Sequence, residues 1–155
     1  MRYGTIAIVL AGLVLGGCGK EDEHDHGGHE GGGNVTVPDH YAEAVAKCDE
    51  LCKKIGKLIA DGHLADVHSA AADIKKIAEE LPKIAKRDLS ASVLRDVNVK
   101  SKELAGMFSE IDEAADAGKK ADTEKLHARM KELVSGLVAH AAHVKEEEED
   151  HDDHK

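Results

Sequence analysis

From Pro38 onward, apolar residues return every three or four positions. Tyr41, Val45, Cys48, Cys52, Ile55 and Ile59 follow alternating steps of four and three, which places all six on one stripe of a helix. Val67, Ala71, Ile74, Ala78 and Leu81 make a second stripe, and Val97, Ser101, Leu104, Phe108, Ile111 and Ala115 a third. Leu126, Met130, Leu133, Leu137, His140 and Val144 make a fourth, with His140 in a core position and His143 beside it. The spacing predicts one helix from about Asp39 to Asp61 with Gly62 as its stop, and another from about Leu64 to Lys86 with Pro82 bending its last turn. A third begins after Ser90, which has the chemistry of an N-cap, and ends near Gly118; a fourth starts at Asp122 or Thr123 and continues into the acidic C-terminal tail. Short connections between helices of similar length favour an all-α fold, an antiparallel up-down-up-down four-helix bundle over residues 38–146. Only 2% of the residues are aromatic, so the seams are aliphatic.

Before Pro38 the pattern is of another kind. Arg2 precedes the apolar run Ile6 to Leu15, too short to span a bilayer, and the run ends in Leu15, Gly16, Gly17 and Cys18. A charged start, an apolar stretch and LGGC in this order resemble the bacterial lipobox. The resemblance implies that residues 1–17 are a secretion signal and that Cys18 becomes the diacylglycerol-bearing first residue of the mature lipoprotein. Several acyl chains, at about 0.8 kcal/mol per buried CH₂, would hold such a protein at a membrane without a spanning helix. In a two-membrane bacterium that is the periplasmic face. Gly19 and Lys20, in place of an aspartate after the cysteine, resemble sequences sorted to the outer membrane.

Charge separates the tails from the bundle. The formal net charge is −10, and residues 20–37 hold one Lys and five acids while residues 145–155 hold two Lys and seven acids. Residues 38–144 are nearly balanced, with 17 basic and 19 acidic side chains, and show no basic stripe. That argues against nucleic acid or an anionic lipid surface as the main partner. The segment 18–37 carries His24, His26 and His29 among acids and glycines and reads as a flexible tether; residues 147–155 repeat the chemistry with His151 and His154. Either tail could be a solvated spacer, but two His-acid tracts on one small chain favour weak binding of Zn²⁺, Ni²⁺ or Cu²⁺.

In the antiparallel bundle the start of the first helix lies beside the end of the fourth. Cys48 is then roughly 13 Å into its helix and His140 roughly 6 to 9 Å from the end of its own, at similar levels. The cysteines are one helical turn apart, with Cβ atoms about 5 to 6 Å from each other, farther than a relaxed disulfide allows. A reduced pair in an oxidising compartment is unusual unless buried, metal-bound or redox active. Two thiolates and an imidazole suit Cu(I) or Zn²⁺, so Cys48, Cys52 and His140, with His143, form a candidate metal site. The alternatives are two cysteines serving as small core residues and a core His140 bonded to a backbone carbonyl or a tail carboxylate. His63, His68 and His127 read as surface or rim positions.

The stretch EIDEAADAGKK, followed by a helix ending in VAHAAH, is similar to the last third of the cytochrome b562 family. That family is a four-helix bundle holding haem between a methionine on helix one and a histidine on helix four. The resemblance implies haem b bound by His140, with Cys48 or Cys52 near the methionine position; no Met lies on the first helix here. The CxxxC pair also resembles the copper storage proteins, which carry many such pairs where this chain has one. No CxxCH occurs, so covalent haem attachment is excluded, and no enzyme signature is present.

The function expected first is a lipid-anchored, periplasm-facing bundle that captures or buffers Cu or Zn. A b562-like electron carrier and a cofactor-free structural or partner-binding lipoprotein are the alternatives. Cys18→Ala should leave the chain unlipidated and move it from the membrane pellet to the soluble fraction after detergent-free fractionation.

Overall fold

A computed structural model of the chain describes residues 35–144. Within them lie α1 (Tyr41–Asp61), α2 (Val67–Asp88), α3 (Leu94–Asp116) and α4 (Lys120–Ala139), with a short 3₁₀ turn at Leu64–Asp66 before α2 and another at His140–His143 after α4. Each helix packs on its sequence neighbours and α4 closes on α1, giving the four-helix bundle expected from the apolar pattern. No helix among the described residues is long and apolar enough to cross a membrane.

The predicted seams form the core. All six α1 positions and all five α2 positions are buried, and on α3 only Phe108 is partly exposed. Fully burying an Ile or Leu is worth about 1.5 to 3 kcal/mol, so these stripes supply the driving force that helix propensity alone cannot.

Two glycines end helices through the same geometry. Gly62 has φ 80° and Gly118 φ 67°, left-handed conformations that cost a side-chain-bearing residue energy. At the first, His63 N–H donates to Leu58 O (2.9 Å) and Gly62 N–H to Ile59 O (3.2 Å); at the second, Lys119 N–H donates to Ala114 O and Gly118 N–H to Ala115 O, each 2.9 Å. Both are Schellman endings that satisfy the last carbonyls of α1 and α3.

The start of α1 is capped from elsewhere in the chain. His40, at the N-cap, makes no side-chain cap; instead the Tyr41 N–H donates to Asp88 Oδ2 on the last residue of α2, at 2.8 Å. Arg87 bonds both the Asp88 carboxylate and the Asp39 carbonyl. Tyr41 is fully buried, and its hydroxyl donates to Leu137 O on α4 at 2.9 Å. One residue thereby ties α1 to both of its neighbours.

Three expectations change. Ser90 is not the cap of α3, because helical backbone begins only at Leu94 and the Ser90 hydroxyl instead contacts that of Ser92. The fourth helix does not run into the acidic tail: α4 stops at Ala139, and after the 3₁₀ turn Val144 is extended in an antiparallel bridge with Leu89, with Ser90 N–H donating to His143 O at 3.2 Å. Pairing with buried Leu89, at the start of the α2–α3 connection, turns the chain out of the helix, leaving Val144 45% exposed and His140 off the core seam. The α4 core is instead Thr123, Met130, Leu133, Val134 and Leu137, with Leu126 half-buried. Pro82, by contrast, leaves α2 one element through to Asp88.

Burial opposes ionisation of Asp88, but hydrogen bonds from Arg87 and the Tyr41 N–H outweigh it and hold its carboxyl below the ordinary range. A lowered folded pKa contributes stability above the unfolded value, about 4, that is lost as pH falls through the folded one. Asp88→Ala should therefore cost about 1 kcal/mol in urea melts at neutral pH, the scale of a lost helix cap. The gap between wild type and variant should close in acid, as pH falls below the ordinary carboxylate range and through the lowered folded pKa.

Candidate metal centre

Cys48 and Cys52 are both free thiols on the inner face of α1, 0% and 3% exposed. The side chain that meets Cys52 is His127, one turn before Met130 on α4. Its Nε2 is 3.6 Å from Cys52 Sγ and 2.9 Å from the Cys52 carbonyl oxygen. With Nε2 protonated, the ring donates to that carbonyl; in the other tautomer the bare Nε2 accepts the Cys52 S–H. The second form matters for metal chemistry, since a soft ion replacing the S–H proton would find a nitrogen lone pair aimed at it.

Gly56 makes this contact possible. It lies one turn beyond Cys52 on the same face of α1, and a Cβ there would stand 2.8 Å from His127 Cε1. A helix-interior glycine costs roughly 0.5 to 1 kcal/mol relative to alanine. Here the missing methyl is the space that the imidazole fills. Gly136 on α4 plays a matching part for the Lys100 stem, whose Cε would lie 2.6 Å from an added Cβ.

Burial sets the thiol chemistry. Desolvation, then the neighbouring Cys52, pushes Cys48 up to about 12. Cys52 is pushed up to about 11 by desolvation and Asp49, against the opposing pull of Lys131 and Lys53. Neither is a thiolate at neutral pH, which makes both poor nucleophiles. A metal bound through them must displace one proton from each.

His140 lies elsewhere. Its Nε2 is 2.5 Å from Asp96 Oδ2 on α3, its side chain is 18% exposed, and its ring centroid is 6.1 Å from that of His143. Lys100, then His140, hold the Asp96 carboxyl below its ordinary range. Because Tyr41 already faces Leu137, His140 is level with residues that precede α1, roughly 15 Å along the bundle from Cys48. The equal levels expected for Cys48 and His140 are thus corrected by the register of α1 on α4. One haem iron could not take His140 and either cysteine as axial ligands, so this placement does not fit the haem reading. Among the described residues no three His, Cys, Asp or Glu side chains converge as a ready-made metal cage. Cys18, His24, His26, His29, His151 and His154 lie outside the described residues.

Two histidines expected at the surface have partners. His127 is one; the other is His68, whose Nδ1 is 2.7 Å from Asp112 Oδ1 and whose ring stands edge-on to Phe108. His63 is exposed as expected. The signal that could have found His127 is Gly56, since a glycine four residues after Cys52 within an otherwise apolar stripe marks a close approach. Two grooves do not touch the cysteines: one of about 560 Å³ beside residues 37–39 and α2, and one of about 300 Å³ lined by Pro82 and the unpartnered hydroxyl of buried Ser101.

Comparison with protein-family models, curated proteins and solved structures gives no match for this chain.

Gly56→Ala isolates the contact, because only the end of one side chain has to move. The variant should fold with unchanged or slightly higher helicity. Its Cys52 thiol should nevertheless react faster with Ellman's reagent, since the displaced imidazole no longer covers it.

Proposed function

We propose that the chain is a lipid-anchored, periplasm-facing bundle that binds transition-metal ions, with Cys48, Cys52 and His127 as its tight site. The observation that carries this reading is the placement of the His127 imidazole against Cys52, with a second free thiol one turn away, in a core where packing alone needs neither a histidine nor two cysteines. His140 and His143, beside Asp96, stand at the end of the bundle where the described chain both enters and leaves. On this reading they and the tail histidines collect ions weakly at the membrane-tethered end, and the thiols hold them.

Such a site has a defined pH response. Each cysteine that ligates gives up a proton below its own pKa, so affinity should rise by about tenfold per pH unit for every thiolate formed. Binding only the folded state stabilises it by mass action, about 2.7 kcal/mol at a hundredfold excess over Kd. The metal-loaded protein should melt several degrees above the apo protein, and Cys52→Ser, nearly isosteric, should remove that difference. If apo and metal-treated protein melt together, and Cys52→Ser behaves as a mild core substitution, the cysteines are packing residues and the reading fails.

A further inference from the structure

All four sulfur-bearing side chains of the described residues lie in the core. Cys48, Cys52, Met107 and Met130 are all buried, none more than 3% exposed. The register of α1 on α4 places Met130 among the first two. Tyr41 meets Leu137 and Cys52 meets His127, so Cys48, one turn before Cys52, falls opposite Met130 and Lys131. Lys131 is exposed while Met130, the preceding residue, is 1% exposed. The thioether therefore occupies the inner side of that turn. Met107 reaches a similar level from α3, as Lys100 approaches Gly136 and Glu103 pairs with Arg129 on the same helix pair.

This donor set discriminates between metals. Zn²⁺ takes four N, O or S ligands in a tetrahedron and has little use for a thioether. No three His, Cys, Asp or Glu side chains already stand together among the described residues, Cys48, Cys52 and His127 included, so an ion that requires four such ligands in a tetrahedron would have to rebuild the core most. Monovalent copper is satisfied by two or three soft donors, and thiolate and thioether sulfurs are the ligands that select it. Two thiols and a thioether on neighbouring turns of α1 and α4 offer three such sulfurs, with the His127 imidazole as a further nitrogen donor.

We propose that the metal held by this core is Cu(I), and that the Met130 thioether is one of its donors beside Cys48, Cys52 and His127. The proposal rests on the metal-binding reading above and makes it specific. It involves binding alone: Cu(I) replaces thiol protons, which pass to solvent, and no electron is transferred.

The test uses the full mature chain under anaerobic conditions, with Cu(I) affinity from competition against bicinchoninate and Zn²⁺ affinity from competition against a chromophoric zinc chelator. Met130→Leu conserves volume, and Met107→Leu makes the same chemical change at an equally buried position on α3. Met130→Leu should weaken Cu(I) binding at least tenfold, leave Zn²⁺ binding within twofold, and lower by one the sulfur scatterers seen in copper X-ray absorption. Selenomethionine-labelled Met107→Leu protein, in which Met130 is the remaining methionine after signal removal, should show a copper–selenium distance, a readout that needs no change at Met130. If Met130→Leu leaves Cu(I) affinity and sulfur count unchanged while Cys52→Ser abolishes binding, the Met130 assignment is overturned and the metal-binding reading stands. If Zn²⁺ binds the core more tightly than Cu(I), the choice of metal is overturned. If neither ion changes the melting temperature or binds above the level of a Cys48→Ser, Cys52→Ser double variant, the broader reading falls with it.

Discussion

Tyr41 is the residue on which the rest of the arrangement depends. Its backbone N–H is anchored by Asp88 at the end of α2 and its side-chain hydroxyl by Leu137 O on α4, so one buried residue fixes α1 in space. A helix seam of aliphatic residues specifies which face turns inward but tolerates sliding along its axis. Directional hydrogen bonds from a buried tyrosine do not. Once Tyr41 faces Leu137, the antiparallel pair has a single register, and that register sets Cys52 against His127 and leaves His140 beyond the start of α1.

The fold was legible because it rests on periodicity. The stripes Tyr41 to Ile59 and Val67 to Leu81 are simple alternations of three and four, and burial follows them residue for residue. Gly62 and Gly118 were readable for a related reason: a left-handed residue after a helical run is a local requirement. The site was less legible because it depends on registers and endings that arise between segments. His140 fits the α4 period as well as Leu137 does, and only the Leu89–Val144 bridge reveals that the helix has ended before it. His127 falls outside the period, half-buried at the seam's edge, and becomes a neighbour of Cys52 only because Gly56 offers no side chain.

That last point bears on how a helical bundle makes room for chemistry. A core packed to crystal-like density has no space for an imidazole unless volume is removed nearby. Removing it by enlarging a loop would loosen the register; removing one methyl from a helix face costs a few tenths to one kcal/mol and leaves the backbone path untouched. Gly56 and Gly136 both sit at α4 contacts, one admitting the His127 ring and the other the Lys100 stem that carries the Asp96–His140 pair. The two histidine environments, inner and outer, are thus each supported by a glycine across the same helix.

Burial also decides what kind of thiol pair this can be. A redox-active cysteine is activated by a lowered pKa and partial exposure, whereas Cys48 and Cys52 are buried and pushed well above the ordinary thiol range. A disulfide between residues one helical turn apart would also have to pull the helix out of shape. Both facts work against thiol–disulfide exchange. Neither works against a soft cation, because the low dielectric that penalises an isolated thiolate also strengthens its attraction to a metal ion bonded to it. The protons then act as a threshold: an ion that bonds sulfur weakly cannot displace them, and one that bonds sulfur strongly can. On the proposed reading, selectivity follows from the depth of the thiols as much as from the identity of the donors.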